Sequence, residues 1–252
     1  MLFVRSLLGP CARVVLLLAV VAATAAGCRD GGFLKQFEYD EDIHLALDGS
    51  ATIYVNGSLP AIAALRGFEL DTNPTARVDR DRIRALFTVP GTRVSRVTSS
   101  RQHGRRFAHI RLEVDDIRKL PSNPAFSWAT IRFERTGDMY RYREDLGPSP
   151  NRPVGSVGWT GQELVAFRLH LPSKIAYHNA GRDNLRRGNI LVWEQKLSDR
   201  LAGQPLEMEA RMEPTSILYR TLWLFLGSVA AALSVLALII WWVVKKGKDP
   251  IV

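Results

Sequence analysis

The chain has 252 residues, is 46% apolar and 23% charged, and carries 34 Lys+Arg against 25 Asp+Glu, a net +9; this excludes a disordered polyelectrolyte and leaves room for one or at most two domains. Without Arg5, Arg13, Lys245, Lys246, Lys248 and Asp249 the remainder keeps a net +5, too mild on charge alone for a dedicated nucleic-acid binder. Two cysteines, Cys11 and Cys28, exclude a disulfide scaffold and a four-cysteine zinc site.

Residues 1–27 read as an export signal. Arg5 and Arg13 supply its positive part, Val14 to Ala22 is an unbroken apolar run, and Ala23-Thr24-Ala25-Ala26-Gly27 is a small-residue cleavage zone. The run is short for a membrane span. Cys28 follows at once. The stretch resembles the lipobox of bacterial lipoproteins, in which the cysteine becomes the diacylated first residue, although Ala25 stands where that family usually has Leu. Ordinary cleavage after Ala23-Thr24-Ala25 also fits. After cleavage Cys28 is the last cysteine left, and a lone thiol outside the cytoplasm is a liability unless it is used.

Residues 28–220 read as one extracytoplasmic α+β domain, a mostly antiparallel sheet covered by two or more short helices. Ile43, Leu45 and Leu47 alternate with polar or small residues, Asp48-Gly49-Ser50 turns the chain, and Ala51, Ile53 and Val55 continue it, an early hairpin. A first helix has Ser58 as cap, Pro60 in its first turn, Ala61 to Leu65 as body and Gly67 as stop. A second is capped by Asp79, with Val78 and Ile83 as a hydrophobic staple and Pro90-Gly91 ending it. Alternation over 108–114, 129–133, 165–171 and 206–212, with a turn at Gly137-Asp138 leading to Tyr140 and Tyr142, predicts further strands with one face buried and one wet. Gly147 to Pro153 is a proline-rich loop inside the domain.

No G-x-S-x-G, H-E-x-x-H, P-loop or dinucleotide fingerprint occurs, so no catalytic residue, metal site or cofactor is expected. His109 and Glu113 share a strand face, but Arg111 lies between them, which favours a charge-balanced wet face over a metal site. A pairing of Ser99 or Ser100 with His103 is better explained by turn chemistry. Asp115-Asp116 reads as the start of a short helix before Pro121. Arg93, Arg96, Arg101, Arg105, Arg106 and Arg111 form the densest charge feature. The first five are candidates for contact with an anionic surface, against a solvated strand face balanced by acids elsewhere. The same choice applies to Arg182, Arg186 and Arg187. Asn56-Gly57-Ser58 matches a glycosylation acceptor but reads better as turn and cap.

From Thr221 to Val244 there is no charge. Leu222 to Val244 as a helix is roughly 34 Å long, enough to cross a bilayer. Trp223 near one end and Trp241 and Trp242 near the other sit as interfacial anchors, and Lys245, Lys246 and Lys248 place the tail, 245–252, in the cytoplasm. The topology expected is an outer domain, one span over 221–244 and a short inner tail in the cell (inner) membrane.

Leu169-His170-Leu171-Pro172-Ser173-Lys174-Ile175, Asn179, Gly188-Asn189-Ile190-Leu191-Val192-Trp193-Glu194 and Pro205-Leu206-Glu207-Met208-Glu209-Ala210, with Gly27-Cys28, the Leu47-Asp48-Gly49 turn and the terminal span, resemble the LppM-type family of bacterial membrane-anchored lipoproteins. Asn179 and Trp193 match best. The resemblance implies an antiparallel sheet with helices, a groove for a hydrophobic or lipid-like ligand, and no catalytic residues; the proline-rich loop and the arginine density depart from it. The expected function is that of a non-enzymatic envelope lipoprotein binding a lipid-like ligand or a membrane protein partner beside membrane lipid. The alternatives are a subunit of a membrane complex, and an envelope-polymer enzyme using His103, His109, Asp115 and Asp116. No nucleic-acid partner is expected.

Overall fold

The computed structural model describes residues 37–181 and 188–246. The export signal over 1–27, Cys28, Arg182, Arg186, Arg187 and Lys248 lie outside the described residues. Two sheets carry the domain. The larger has the order β3-β4-β2-β1-β7-β9, built from β1 (Phe37–Leu45), β2 (Ala51–Ser58), β3 (Thr92–Gln102), β4 (Arg105–Val114), β7 (Leu164–His170) and β9 (Ile190–Lys196). The smaller has the order β5-β6-β10-β8, from β5 (Ala129–Thr136), β6 (Met139–Leu146), β8 (Ser173–His178) and β10 (Leu206–Ser216). The α+β class and the mostly antiparallel pairing are as expected, with two differences: the strands divide between two sheets, and β1 and β7 run parallel, Ile43 opposite Leu169. Side-chain alternation shows which face of a strand is buried and is silent on which strand lies beside it.

The β1–β2 hairpin forms where expected. Gly49 takes φ 93° in its turn, a left-handed conformation that suits glycine. At the end of β2, Ser58 caps α1 (Leu59–Arg66), its hydroxyl accepting from Ala61 N at 3.1 Å, and Gly67 closes the helix at φ 74°. Gly57 is required for a different reason: a Cβ there would lie 2.9 Å from Tyr39 Cδ2. Asp79 caps α2 (Arg80–Phe87), accepting from Arg82 N at 2.9 Å, and the staple residues Val78 and Ile83 are buried. Asp116 caps a 3-10 turn over Ile117–Ser122, so Pro121 sits inside that turn and not after it. The proline-rich loop is tied down within the domain: Arg152 N donates to Ala64 O, and the Ser149 hydroxyl to Arg200 O in α3 (Leu197–Leu201).

The inner faces of the two sheets enclose one core. Tyr39, Ile53 and Val55 of the larger sheet are fully buried, and Tyr142, Ala210 and Met212 of the smaller nearly so. Asn179 and Trp193, the two best-matching positions of the sequence resemblance, touch: the Trp193 indole donates to Asn179 Oδ1 at 3.0 Å. That oxygen also accepts from Glu209 N at 2.9 Å, and the Asn179 amide donates to Glu207 O at 3.0 Å. One side chain thereby links β9 of one sheet to β10 of the other.

Strand directions order the domain end to end. β1 and β7 finish at the same end, β3 starts there and β10 finishes there. At that end α4 (Ile217–Lys246) follows β10 with no linker, and Ile217 N donates to Pro172 O at 3.0 Å. The helix therefore begins four residues before the span read from charge alone.

Candidate functional site

Alternation places Tyr39 and Glu41 of β1, and Tyr142 and Glu144 of β6, on inner faces, and α1 brings Arg66 between the sheets. Glu38, Glu41, Arg66, Glu144 and Arg200 are all buried. Arg66 forms an ion pair with Glu41 and donates to the Tyr39 hydroxyl and to Ala125 O. Its guanidinium lies 4.5 Å from the Phe126 ring centre and 4.4 Å from that of Trp128, so a cation that has lost its water gains two π-faces. Arg200 lies 5.0 Å from the Trp128 ring centre and donates to the carbonyls of Gln204 and Gly147. Glu144 accepts from the Tyr142 hydroxyl at 2.5 Å.

The electrostatics follow from burial. Burial, then the nearby Glu41 carboxylate, pushes Glu144 up to about 8, so at neutral pH it is mostly protonated. Burial also raises both tyrosine hydroxyls well above the usual phenol value. Burial, then Arg66, lowers Arg200. Burial alone would lower Arg66, but Tyr39 and Glu41 more than offset it and the result is a raised value. Sequence reading missed this cluster because its acids alternate with apolar residues in period with the strands; Glu41 between Tyr39 and Ile43 on one face was the available signal.

The outer face of the larger sheet carries a directional polar chain. The Ser100 hydroxyl lies 2.8 Å from His109 Nε2, and His109 Nδ1 lies 3.0 Å from Asn56 Oδ1. Asn56 Nδ2 donates to Asp40 at 3.3 Å, and Arg168 donates to the same Asp40 oxygen at 2.6 Å. Because the Asn56 amide is committed to Asp40, its oxygen faces His109, which places the imidazole proton on Nδ1. Burial, ahead of the opposing pull of Arg168, raises the Asp40 carboxyl. His44 and His170, far apart in sequence, stack with centroids 3.9 Å apart, and burial and then His170 lower His44. No group of three or more His, Cys, Asp or Glu among the described residues is placed to hold a metal ion.

Ser100 thus faces His109, not His103, which sits in the two-residue turn with Gly104 at φ 49° and 75°. His103 lies at one end of the β3–β4 hairpin and Asp115-Asp116 beyond the other, so the four residues considered for an enzyme do not converge. The arginines divide. Arg93 pairs with Glu113. Arg105 donates to the buried Glu38 at 3.0 Å. Arg101 and Arg106 reach backbone carbonyls of Pro74 and Thr75. Arg96 and Arg111 line a cleft of ≈ 390 Å³ beside Tyr54 and His109.

α4 is long and apolar enough to cross a membrane, and none of its most apolar 18-residue stretch is buried against the domain. Trp223, Trp241 and Trp242 are exposed. Trp223 and Trp241 are separated by about 27 Å at ~1.5 Å per residue, close to the hydrocarbon thickness. The Lys245 ammonium lies 5.1 Å from the Trp241 ring centre, and Lys246 ends the helix.

No family model matches the chain, and no curated protein matches it. Among solved structures, the NMR structure of the folded domain of Mycobacterium tuberculosis LppM is similar to it, at a TM-score of 0.40 and 12% identity over 73% of this chain and 94% of that one. This is a weak structural relationship.

Proposed function

We propose that the protein is a non-enzymatic, membrane-anchored envelope lipoprotein whose outer domain binds a lipid-like ligand or a protein partner close to the bilayer. The observation that carries this reading is α4: an apolar helix uncovered by the domain, flanked by tryptophans, and joined to β10 without a linker. Uncovered apolar surface of that length is costly in water and is satisfied by lipid. Direct continuation from β10 limits how far the domain can move from the membrane, which suits a scaffold or carrier. The space between the sheets is filled by side chains such as Tyr39, Phe126, Tyr142 and Arg200, which favours docking on the outside of the domain over an enclosed ligand. Native mass spectrometry of the full chain released from detergent tests the ligand arm. A retained lipid mass supports a carrier; a bare chain, with a cross-linked partner recovered from membranes, supports docking. Recovery of the protein in the soluble fraction after mild lysis would sink the reading as a whole.

A further inference from the structure

In the β3–β4 ladder, Arg101 stands directly opposite Arg106. Like charges directly opposite on neighbouring strands are destabilising. Here they are also drawn together, because Arg101 Nη2 and Arg106 Nε both donate to the same oxygen, Pro74 O, while Arg106 Nη2 donates to Thr75 O at 3.2 Å. Arg93 and Arg105 of the same hairpin have carboxylate partners. Arg101 and Arg106 form no ion pair among the described residues, and most of their N–H donors are unspent. Beside them lies a cleft of ≈ 550 Å³, lined among others by Asp71, Asn73, Pro74, His103 and Arg105.

Topology places this pair. β3 starts at the end where α4 leaves the domain and runs eleven residues away from it, about 33 Å at ~3.3 Å per residue. The two guanidinium groups are therefore remote from the lipid that α4 enters, beyond several Debye lengths at physiological salt. Paired planar forks with free N–H groups fit the non-bridging oxygens of a phosphate diester. We propose that Arg101 and Arg106 form a docking site, at the end of the domain remote from α4, for an anionic envelope polymer carrying phosphodiester groups. The proposal takes only its placement in the envelope from the membrane-anchored reading.

The test uses the full chain in nanodiscs of zwitterionic lipid, with poly(glycerol phosphate) as the probe and calorimetry as the readout. Insertion into the discs reports on the anchor by itself, so a failure to bind the polymer is distinguishable from a failure of that reading. Wild type is expected to bind with salt-sensitive affinity. R101Q/R106Q should weaken binding at least tenfold, and R135Q, which removes one charge at the opposite end as R101Q does at this one, should leave it within twofold. Arg106 also straps Thr75, so R101Q alone, which keeps that strap, is the second variant, with an expected loss of threefold or more. Absence of wild-type binding, or equal loss in R135Q, overturns the proposal. So does binding to anionic vesicles in preference to the polymer, with the same arginines required.

Discussion

Burial of Glu144 makes the folded state hold a proton that the unfolded state has already lost. Its folded pKa of about 8 lies above the ordinary carboxyl value of 4.5. Between those two values the unfolded chain binds fewer protons, so stability falls as pH rises through that window. The limiting size is about 5 kcal/mol at ~1.4 kcal/mol per pH unit. Glu144→Gln removes the ionisation and keeps the shape. Thermal melts from pH 5 to 8.5 should show wild type losing stability relative to the variant as pH rises; parallel curves would contradict this. Arg66 makes the converse case. Its loss strands Glu41 in the core, and Arg66→Met should cost about 3–5 kcal/mol by chemical denaturation. Gly57→Ala drives a Cβ into the Tyr39 ring and should cost about 1–3 kcal/mol. A neutral or stabilising result in the same denaturation series would mean that the Tyr39 ring yields easily to an added Cβ on β2.

Elements were legible where a local rule decided them. Ser58, Pro60 and Gly67 mark α1 because caps and stops act within one turn, and Ala108, Ile110 and Leu112 mark β4 because one face is core. β3 was less legible, for a visible reason. Its register slips between Val94 and Arg96, and a bulge breaks the period-two pattern that identifies a strand. The parallel β1–β7 pair and the division into two sheets were not legible either, since both depend on pairings between strands distant in the chain, Ile43 with Leu169 in the first case and Leu206 with Leu146 in the second. The inter-sheet tie is testable. Asn179→Ala leaves the Trp193 indole and Glu209 N without their acceptor and should cost about 3 kcal/mol, whereas Trp193→Phe removes one donor and leaves the other bond in place, at a lower cost. Equal costs would show that the ring, not the amide, holds the sheets. Ser58→Ala should cost about 1 kcal/mol through the lost cap.

At the scale of the whole molecule, strand direction and helix position combine into a polarity that no single element carries. The Gly137-Asp138 turn, Pro172 and the start of α4 share one end; the His103-Gly104 turn and its arginines occupy the other. On the proposed reading this body stands outside the cytoplasmic membrane, held by α4 with the lysine tail inside. This placement is tested most directly by labelling intact cells with a membrane-impermeant maleimide, using single added cysteines at Gln162 and at Lys248. Gln162→Cys is expected to be labelled in intact cells and Lys248→Cys only after permeabilisation. Labelling of Lys248→Cys in intact cells, with Gln162→Cys protected, would contradict it.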